Sequence, residues 1–305
     1  INYSPISLYY GLAVAATGAE GETKEELLDI LNMTDTDVLS ESCAHLQRML
    51  AMDDGTSKLR LSNSVWMSDS VSWKQSFVEN AAENFYASVY SEDMEDPATE
   101  RAIGEWISEE TEGTLGSEFE LTPGTVMMIL NTIYLYDEWV NQFNEGATIE
   151  KAFYPADGSS VTCSFMRGED FADFARGENY TRAALPLKGG GEMVFILPDE
   201  GVSPDGLASS PEALKEAFEG GETDSGLVIW EIPKFSFDTM LTSEIIDMLK
   251  ELGAASAFDA LKADFSALTD DMSTYISGIT QETFIEINEN GVEASAYTAI
   301  EIAGR

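Results

Sequence analysis

The sequence predicts an α+β fold organised around a large, mainly antiparallel sheet. Three observations carry that expectation. Helical patterns come mostly early and strand patterns mostly later, without the strand–helix alternation of a parallel sheet. The run 126–136 is dense in β-branched and aromatic residues, which suit a pleated, buried strand. The last two strand-like runs, 280–288 and 291–305, follow each other almost without a break.

Taken in order, residues 5–19 are apolar with helical spacing and end near Gly18. Thr23 with Glu26 three residues on is a capping-box signature that opens a short helix through Leu31. Residues 37–50 form another amphipathic helix. The run 59–67 alternates as a strand, with Leu59, Leu61, Asn63 and Val65 on one face. Residues 73–85 and 97–111 read as helices, and Pro97 suits a first turn because its missing N–H has no helical partner there. From 147 to 236 the pattern turns to short strands, at 161–166, 181–187, 192–197 and 227–232, with Lys188-Gly189-Gly190-Gly191 as a hairpin turn. Residues 210–219 and 241–252 are helical.

The tail 291–305 has a period of two. Val292, Ala294, Ala296, Thr298, Ile300 and Ile302 are small or apolar, whereas Glu293, Ser295, Tyr297 and Glu301 fall on the other face. This predicts a half-buried strand with the second set, Glu293, Tyr297 and Glu301 above all, in solvent. Burying Val292, Ile300 and Ile302 contributes roughly 1.5–3 kcal/mol each before entropy is subtracted. That is comparable with a domain's net stability of about 5–15 kcal/mol, so a chain holding this tail outside a sheet is a loaded, metastable state.

The lead-in and tail, Glu286-Ile287-Asn288-Glu289-Asn290-Gly291-Val292-Glu293-Ala294-Ser295-Ala296, resemble the hinge of the serpins. In that family a reactive-centre loop is bait for a protease and, once cut, inserts into a large β-sheet as a new strand. Further segments agree in order. Ser4-Pro5-Ile6-Ser7-Leu8 and the run from Gly18 to Glu26 resemble the start of the fold. Ile103-Gly104-Glu105-Trp106-Ile107-Ser108-Glu109-Glu110-Thr111 resembles one of its helices. The stretch from Leu130 to Trp139 resembles the strand through its main sheet, and Ile232-Pro233-Lys234-Phe235 also fits. The resemblance covers nearly the whole chain. It implies a serpin-like α+β fold: a large, mainly antiparallel central sheet, additional sheets, a surrounding helical layer, and the cleaved loop as an extra strand. The chain reads as one serpin-like domain over 1–305, of prokaryotic type and cut within its loop at 289–305. The family's helix before Ile1 and its segment after the cut are expected to be missing, the latter remaining bound as a separate peptide.

What the resemblance implies for function is a suicide substrate. A serine or cysteine protease attacks the bond after Arg305, an acyl-enzyme forms, the loop inserts, and the tethered protease is distorted. Arg305 as bait residue suits a trypsin-like protease, whose acidic pocket residue pairs with guanidinium. The spacing back to Glu289 matches the family's interval between bait residue and hinge glutamate. An incidental nick near the true site is the alternative, since exposed loops are preferred nicking sites. The hinge comprises Glu289, Gly291, Val292, Glu293, Ala294, Ser295, Ala296 and Thr298. Val292 stands where Thr or Ser is usual, and Tyr297 where a small residue is common. Ser4, Ser7 and Asn131 match the polar cluster called the shutter. Gln281 replaces its usual histidine; it is expected to bond to Asn131 and Ser but cannot charge near neutral pH. Trp139, Lys234 and Glu289 match the breach, with Lys234 and Glu289 as an ion pair. Ordinary core and sheet packing is the alternative for all these positions.

Composition bounds the rest. The 305 residues, 44% of them hydrophobic, are enough for a sizeable core. Fifty-six acids against 16 Lys plus Arg give a net charge of −40, which repels nucleic-acid phosphates and anionic lipid. Such a surface suits salty or extracellular surroundings, and extracellular or cell-surface location is the expectation. Attraction to basic proteases is the sharper reading of the charge, but it is spread along the chain. No apolar run reaches the ~18–20 residues of a membrane span. Cys43 and Cys163 are too few for a disulfide framework, so two free thiols are expected, with one long-range bridge as the alternative. The one histidine, His45, has no evident nucleophile or orienting acid. No metal-ligand spacing, P-loop or dinucleotide fingerprint is present; Asp53-Asp54 and Asp270-Asp271 read as loop and cap residues. The expected protein is therefore not an enzyme, needs no cofactor or metal, and is monomeric. Its expected partners are a target protease and its own C-terminal fragment. A non-inhibitory serpin-fold binding or chaperone protein with an incidentally cut loop is the alternative function.

Overall fold

The computed structural model describes residues 1–116, 119–155 and 158–305 and centres on a seven-stranded sheet. Its strands are β1 (Met52–Asp53), β2 (Ser57–Ser68), β3 (Ser88–Glu92), β4 (Thr125–Glu138), β10 (Phe235–Leu241), β11 (Thr274–Ile287) and β12 (Gly291–Gly304). They lie in the order β1-β2-β4-β12-β11-β10, all antiparallel, with β3 added parallel to residues 64–68 of β2. A five-stranded second sheet holds β5 (Ile149–Phe153), β6 (Val161–Arg176), β7 (Tyr180–Pro186), β8 (Glu192–Pro198) and β9 (Glu222–Pro233). The helices are α1 (Pro5–Thr17), α2 (Gly21–Ile30), α3 (Thr36–Leu50), α4 (Gln75–Asn84), α5 (Pro97–Glu110), α6 (Pro204–Leu207), α7 (Pro211–Glu219) and α8 (Ser243–Glu251).

Local chemistry explains where the helices begin. The Ser4 hydroxyl accepts from the Ser7 amide, and Pro5 occupies the first turn of α1. Asp35 caps α3 through the amides of Asp37 and Val38, and Asp96 followed by Pro97 opens α5. Because α1 is apolar on nearly all sides, it is buried along its length. At its end Gly18 abuts Leu268, whose Cδ2 would lie 2.3 Å from any added Cβ.

The capping box expected at Thr23 and Glu26 does not form. The N-cap of α2 is Glu20, three residues before Thr23, so Thr23 and Glu26 lie inside the helix. The Thr23 hydroxyl accepts from the Asp264 amide and the Ser256 hydroxyl, and Glu26 accepts from the Ser256 amide. A distant segment thus uses the groups that local pattern assigns to the helix start.

Strands lengthen where a remote partner pairs with them. β6 runs sixteen residues because β9 pairs with its last twelve, from Phe165↔Pro233 to Arg176↔Glu222. β10, whose side chains carry no clean alternation, exists because β11 pairs with all seven of its residues.

Three apolar clusters fix the layers. On one face of the large sheet Leu8, Val14, Leu61, Val65, Ile279 and Ile300 pack with the helices around α1. On the other, Ile103, Ile107 and Leu115 cover Trp66, Met128 and Tyr297. At its upper end Trp139, Phe143, Leu185, Trp230 and Val292 join it to the second sheet.

Candidate functional site at the central strand

β12 is the middle of the large sheet, between β4 and β11. Val292 stands opposite Asp137 and Ile287, Thr298 opposite Asn131 and Gln281, and Ile302 opposite Met127 and Ile276. Both of its edges are therefore paired, and no backbone group along it needs water.

The alternation along β12 is real, but the second face is not in solvent. Tyr297 is 3% exposed and Glu301 9%. Ser295 is buried too, its hydroxyl 2.6 Å from that of Thr114. The reason is a second cover: α5 and the segment after it lie over the face that a two-layer reading leaves wet. Tyr297 packs edge-on to Phe119, and burial, reinforced by Glu282, pushes its phenol up. Glu293 is half-buried and accepts from the Tyr134 hydroxyl at 2.8 Å. Ala294, expected inward, is half-buried as well.

At the upper end the turn 288–291 enters the sheet against Trp139. The indole Nε1 donates to the Asn288 carbonyl at 2.9 Å, and the amides of Trp139 and Phe143 donate to the carbonyls of Asn290 and Glu289. Lys234 Nζ lies 2.7 Å from Glu289, and the Thr148 hydroxyl donates to its other oxygen at 2.7 Å. Burial opposes the charge on Glu289, but Lys234 and Thr148 outweigh it and hold the carboxyl below its usual range. Gly291 must be glycine here: a Cβ would stand 2.0 Å from the Asp137 carbonyl oxygen.

In the middle, Ser4, Ser7, Asn131 and Gln281 come together around Thr298. Gln281 accepts from the Ser4 amide and donates to the Ser4 carbonyl, both at 2.9 Å. Its Nε2 also donates to the Thr298 hydroxyl at 2.9 Å, and that hydroxyl is 2.8 Å from Ser7 Oγ. The expected Gln281–Asn131 bond is absent because Thr298 stands between the two strands that carry them. Asn131 instead donates to Asn63 at 2.9 Å, and Asn63 to the Phe85 carbonyl at 2.7 Å.

At the lower end Arg305 is exposed, its amide donating to the Ser273 carbonyl. The fourteen residues of β12 separate it from the Glu289 hinge by about 45 Å at strand rise.

Sequence reasoning missed several members of this arrangement. Asn63 was visible as a polar residue on an otherwise apolar strand face. Asp137 is 2% exposed; it accepts from the Ser57 hydroxyl at 2.6 Å and the Gly189 amide at 3.1 Å, tying the hairpin turn of the second sheet to β4. Thr148 and Thr114 gave no signal, because each reaches its partner, Glu289 before β12 and Ser295 within it, from a segment placed by tertiary packing. Elsewhere, Cys43 is buried, Cys163 half-buried, and both are free thiols. His45 is exposed on α3. Among the described residues no group of three or more His, Cys, Asp or Glu could hold a metal, and no helix is long and apolar enough to cross a membrane.

Comparison with known proteins points one way. A family model described as "Serpin (serine protease inhibitor)" matches residues 1–305. The chain is 29% identical to an uncharacterized serpin-like protein of Methanosarcina acetivorans, over 97% of this chain and 71% of that one. It is 30% identical to Serpin-Z1A of Triticum aestivum, over 98% and 79%. Among solved structures, the thermophilic serpin tengpin in its latent state superposes with a TM-score of 0.89 at 26% identity, covering 98% and 82% of the two chains. Reactive-loop-cleaved human thyroxine-binding globulin shares the fold, with a TM-score of 0.89 at 23% identity and coverage of 100% and 91%.

Proposed function

The chain belongs to the serpin family, matched across all of residues 1–305, and on that premise we propose that it inhibits trypsin-like serine proteases as a suicide substrate. Serpins are mostly protease inhibitors and generally not catalytic enzymes, and some members are non-inhibitory. The observation that carries the inhibitory reading here is β12. A continuous strand of fourteen residues fills the centre of the large sheet, and its hinge end is small or smooth enough to do so.

The residues sort themselves along the path of insertion. Lys234, Thr148 and Trp139 hold the hinge at Glu289 and Asn288. Gly291 passes the Asp137 backbone where no side chain fits. Val292, Ala296, Ile300 and Ile302 fill space beside the cores, and Thr298 completes the Ser7–Gln281 cluster. A protease acylated at Arg305 would travel the length of the sheet, about 45 Å, as these contacts form in turn. The guanidinium suits an acidic primary pocket, which selects a trypsin-like target. A cysteine protease with such a pocket is trapped by the same route, through a thioacyl-enzyme. Secretion, or display at the cell surface, is the setting we propose for so acidic a chain.

The test uses the full-length protein, with the residues that follow Arg305, and trypsin. An SDS-stable covalent complex together with a large rise in Tm of the cleaved form supports the proposal. Cleavage after Arg305 with a raised Tm but no complex, with trypsin and with other arginine-specific proteases alike, would leave a loop-inserting, non-inhibitory serpin. Cleavage with neither would remove the reading of β12 as an inserted loop.

A further inference from the structure

Glu301 carries the only carboxylate on the lower half of β12, and it points into the sheet's covered face. A charged group in that position costs folding free energy unless it is met by donors. Two donors of one turn meet it. Residues Thr122-Pro123-Gly124-Thr125 form a turn, with Gly124 at φ 90° where a type II turn needs glycine. The Thr122 amide donates to the Glu301 carboxylate at 3.1 Å, and the Thr125 hydroxyl, shared with the Thr122 carbonyl at 2.7 Å, reaches it at 2.9 Å. On the other side β11 bulges between Ile276 and Gly278, and Gly278 pairs with Glu301. A Cβ at 278 would sit 3.4 Å from Glu301 Oε1, an ordinary van der Waals contact, so this side neither donates to the carboxylate nor crowds it. The same turn is held to α5 from its other side, where the Leu121 amide donates to Glu100 at 3.0 Å.

We propose that this turn forms a built-in receptor for the Glu301 carboxylate, which latches the last third of β12 and the 119–125 segment together once insertion is complete. The proposal rests on the reading of β12 as an inserted loop. The donors, the Thr122 amide and the Thr125 hydroxyl, lie outside β12, whereas the carboxylate they meet belongs to the strand. Glu301 is thus a positioning residue for the end of insertion: it rewards full insertion over partial insertion. It acts as a hydrogen-bond acceptor, with no salt-bridge partner among the described residues, so glutamine should serve nearly as well as glutamate.

The experiment measures Tm of the full-length protein before and after cleavage at Arg305, for wild type, Glu301→Gln, Glu301→Ala and Thr125→Val. Before cleavage residue 301 lies in the exposed loop, so the two substitutions there should leave Tm unchanged. After cleavage Glu301→Ala should lower Tm by about 3–6 °C, and Glu301→Gln by less than about 2 °C. Thr125→Val should reduce the gain in Tm on cleavage, whatever it does to the uncleaved protein. Limited proteolysis at 119–125 should rise in cleaved Glu301→Ala and not in the uncleaved form. Wild type that gains Tm on cleavage, with Glu301→Ala gaining as much and staying equally resistant, overturns the latch while leaving insertion intact. Wild type that gains nothing overturns the inserted-loop reading and the latch with it.

Discussion

Replacing Thr298 by valine probes the centre of the site with little change of shape. The side chain is fully buried, and its hydroxyl has two partners, Ser7 Oγ at 2.8 Å and Gln281 Nε2 at 2.9 Å. Valine fills the same space but meets both with a methyl group. Gln281 keeps its two bonds to Ser4 but loses the acceptor for its second N–H. Ser7 is left with a long 3.5 Å approach to the Asn131 carbonyl. One stranded buried donor costs about 1–3 kcal/mol, and the weakened serine adds about 1, for a sum of about 2–4 kcal/mol. For a chain of 305 residues, at about 2.1 cal/mol/K of unfolding entropy per residue, that lowers Tm by roughly 3–6 °C. The loss belongs to the inserted form alone, because in an exposed loop residue 298 touches neither partner. The assay is therefore the difference in Tm between cleaved and uncleaved protein, with Thr298→Ser as the control that keeps the hydroxyl. A Thr298→Val protein whose gain on cleavage matches wild type within about 1 °C would refute the reasoning, for it would mean that the hydroxyl contributes nothing where it is buried.

Three further outcomes follow from the same geometry. Lys234→Met should cost about 1–2 kcal/mol, the low end for a charged pair because Lys234 is 39% exposed. It should also flatten the acid limb: Glu289 has a lowered folded pKa, so its contribution is full above the ordinary carboxylate value and fades as pH falls through the folded one. Parallel Tm–pH curves for wild type and variant between about pH 3 and 6 would contradict this. Gly291→Ala places a methyl 2.0 Å from the Asp137 carbonyl oxygen and should slow insertion; the ratio of cleaved to complexed product on a gel should rise, and an unchanged ratio would count against the close approach as a constraint. Burial pushes the Cys43 thiol up to about 12, so a thiol reagent at neutral pH should label half-buried Cys163 first and Cys43 only on unfolding; fast double labelling would contradict the burial.

Much of this protein is written in local pattern. The period of two in residues 291–305, the β-branched run into Trp139, and the caps at Ser4, Asp35 and Asp96 depend on neighbours in the chain, so they survive as strands and helices in the fold. The Lys234–Glu289 pair was legible because the resemblance aligned both residues and opposite charges at hydrogen-bond distance attract whatever surrounds them. What only the tertiary structure decided was which faces are dry and which polar groups find each other. Tyr297 and Glu301 alternate as a solvent face should, yet α5 and the 119–125 segment cover them, and nothing in the tail's own sequence announces a second cover. Thr23 and Glu26 carry a helix-start pattern, but Ser256 and Asp264 claim them first. Gln281 and Asn131 are kept apart by Thr298 on β12, a strand that lies between theirs in space but after both in sequence. Alternation specifies that a strand has two faces; only the layers packed on it determine whether each face meets water.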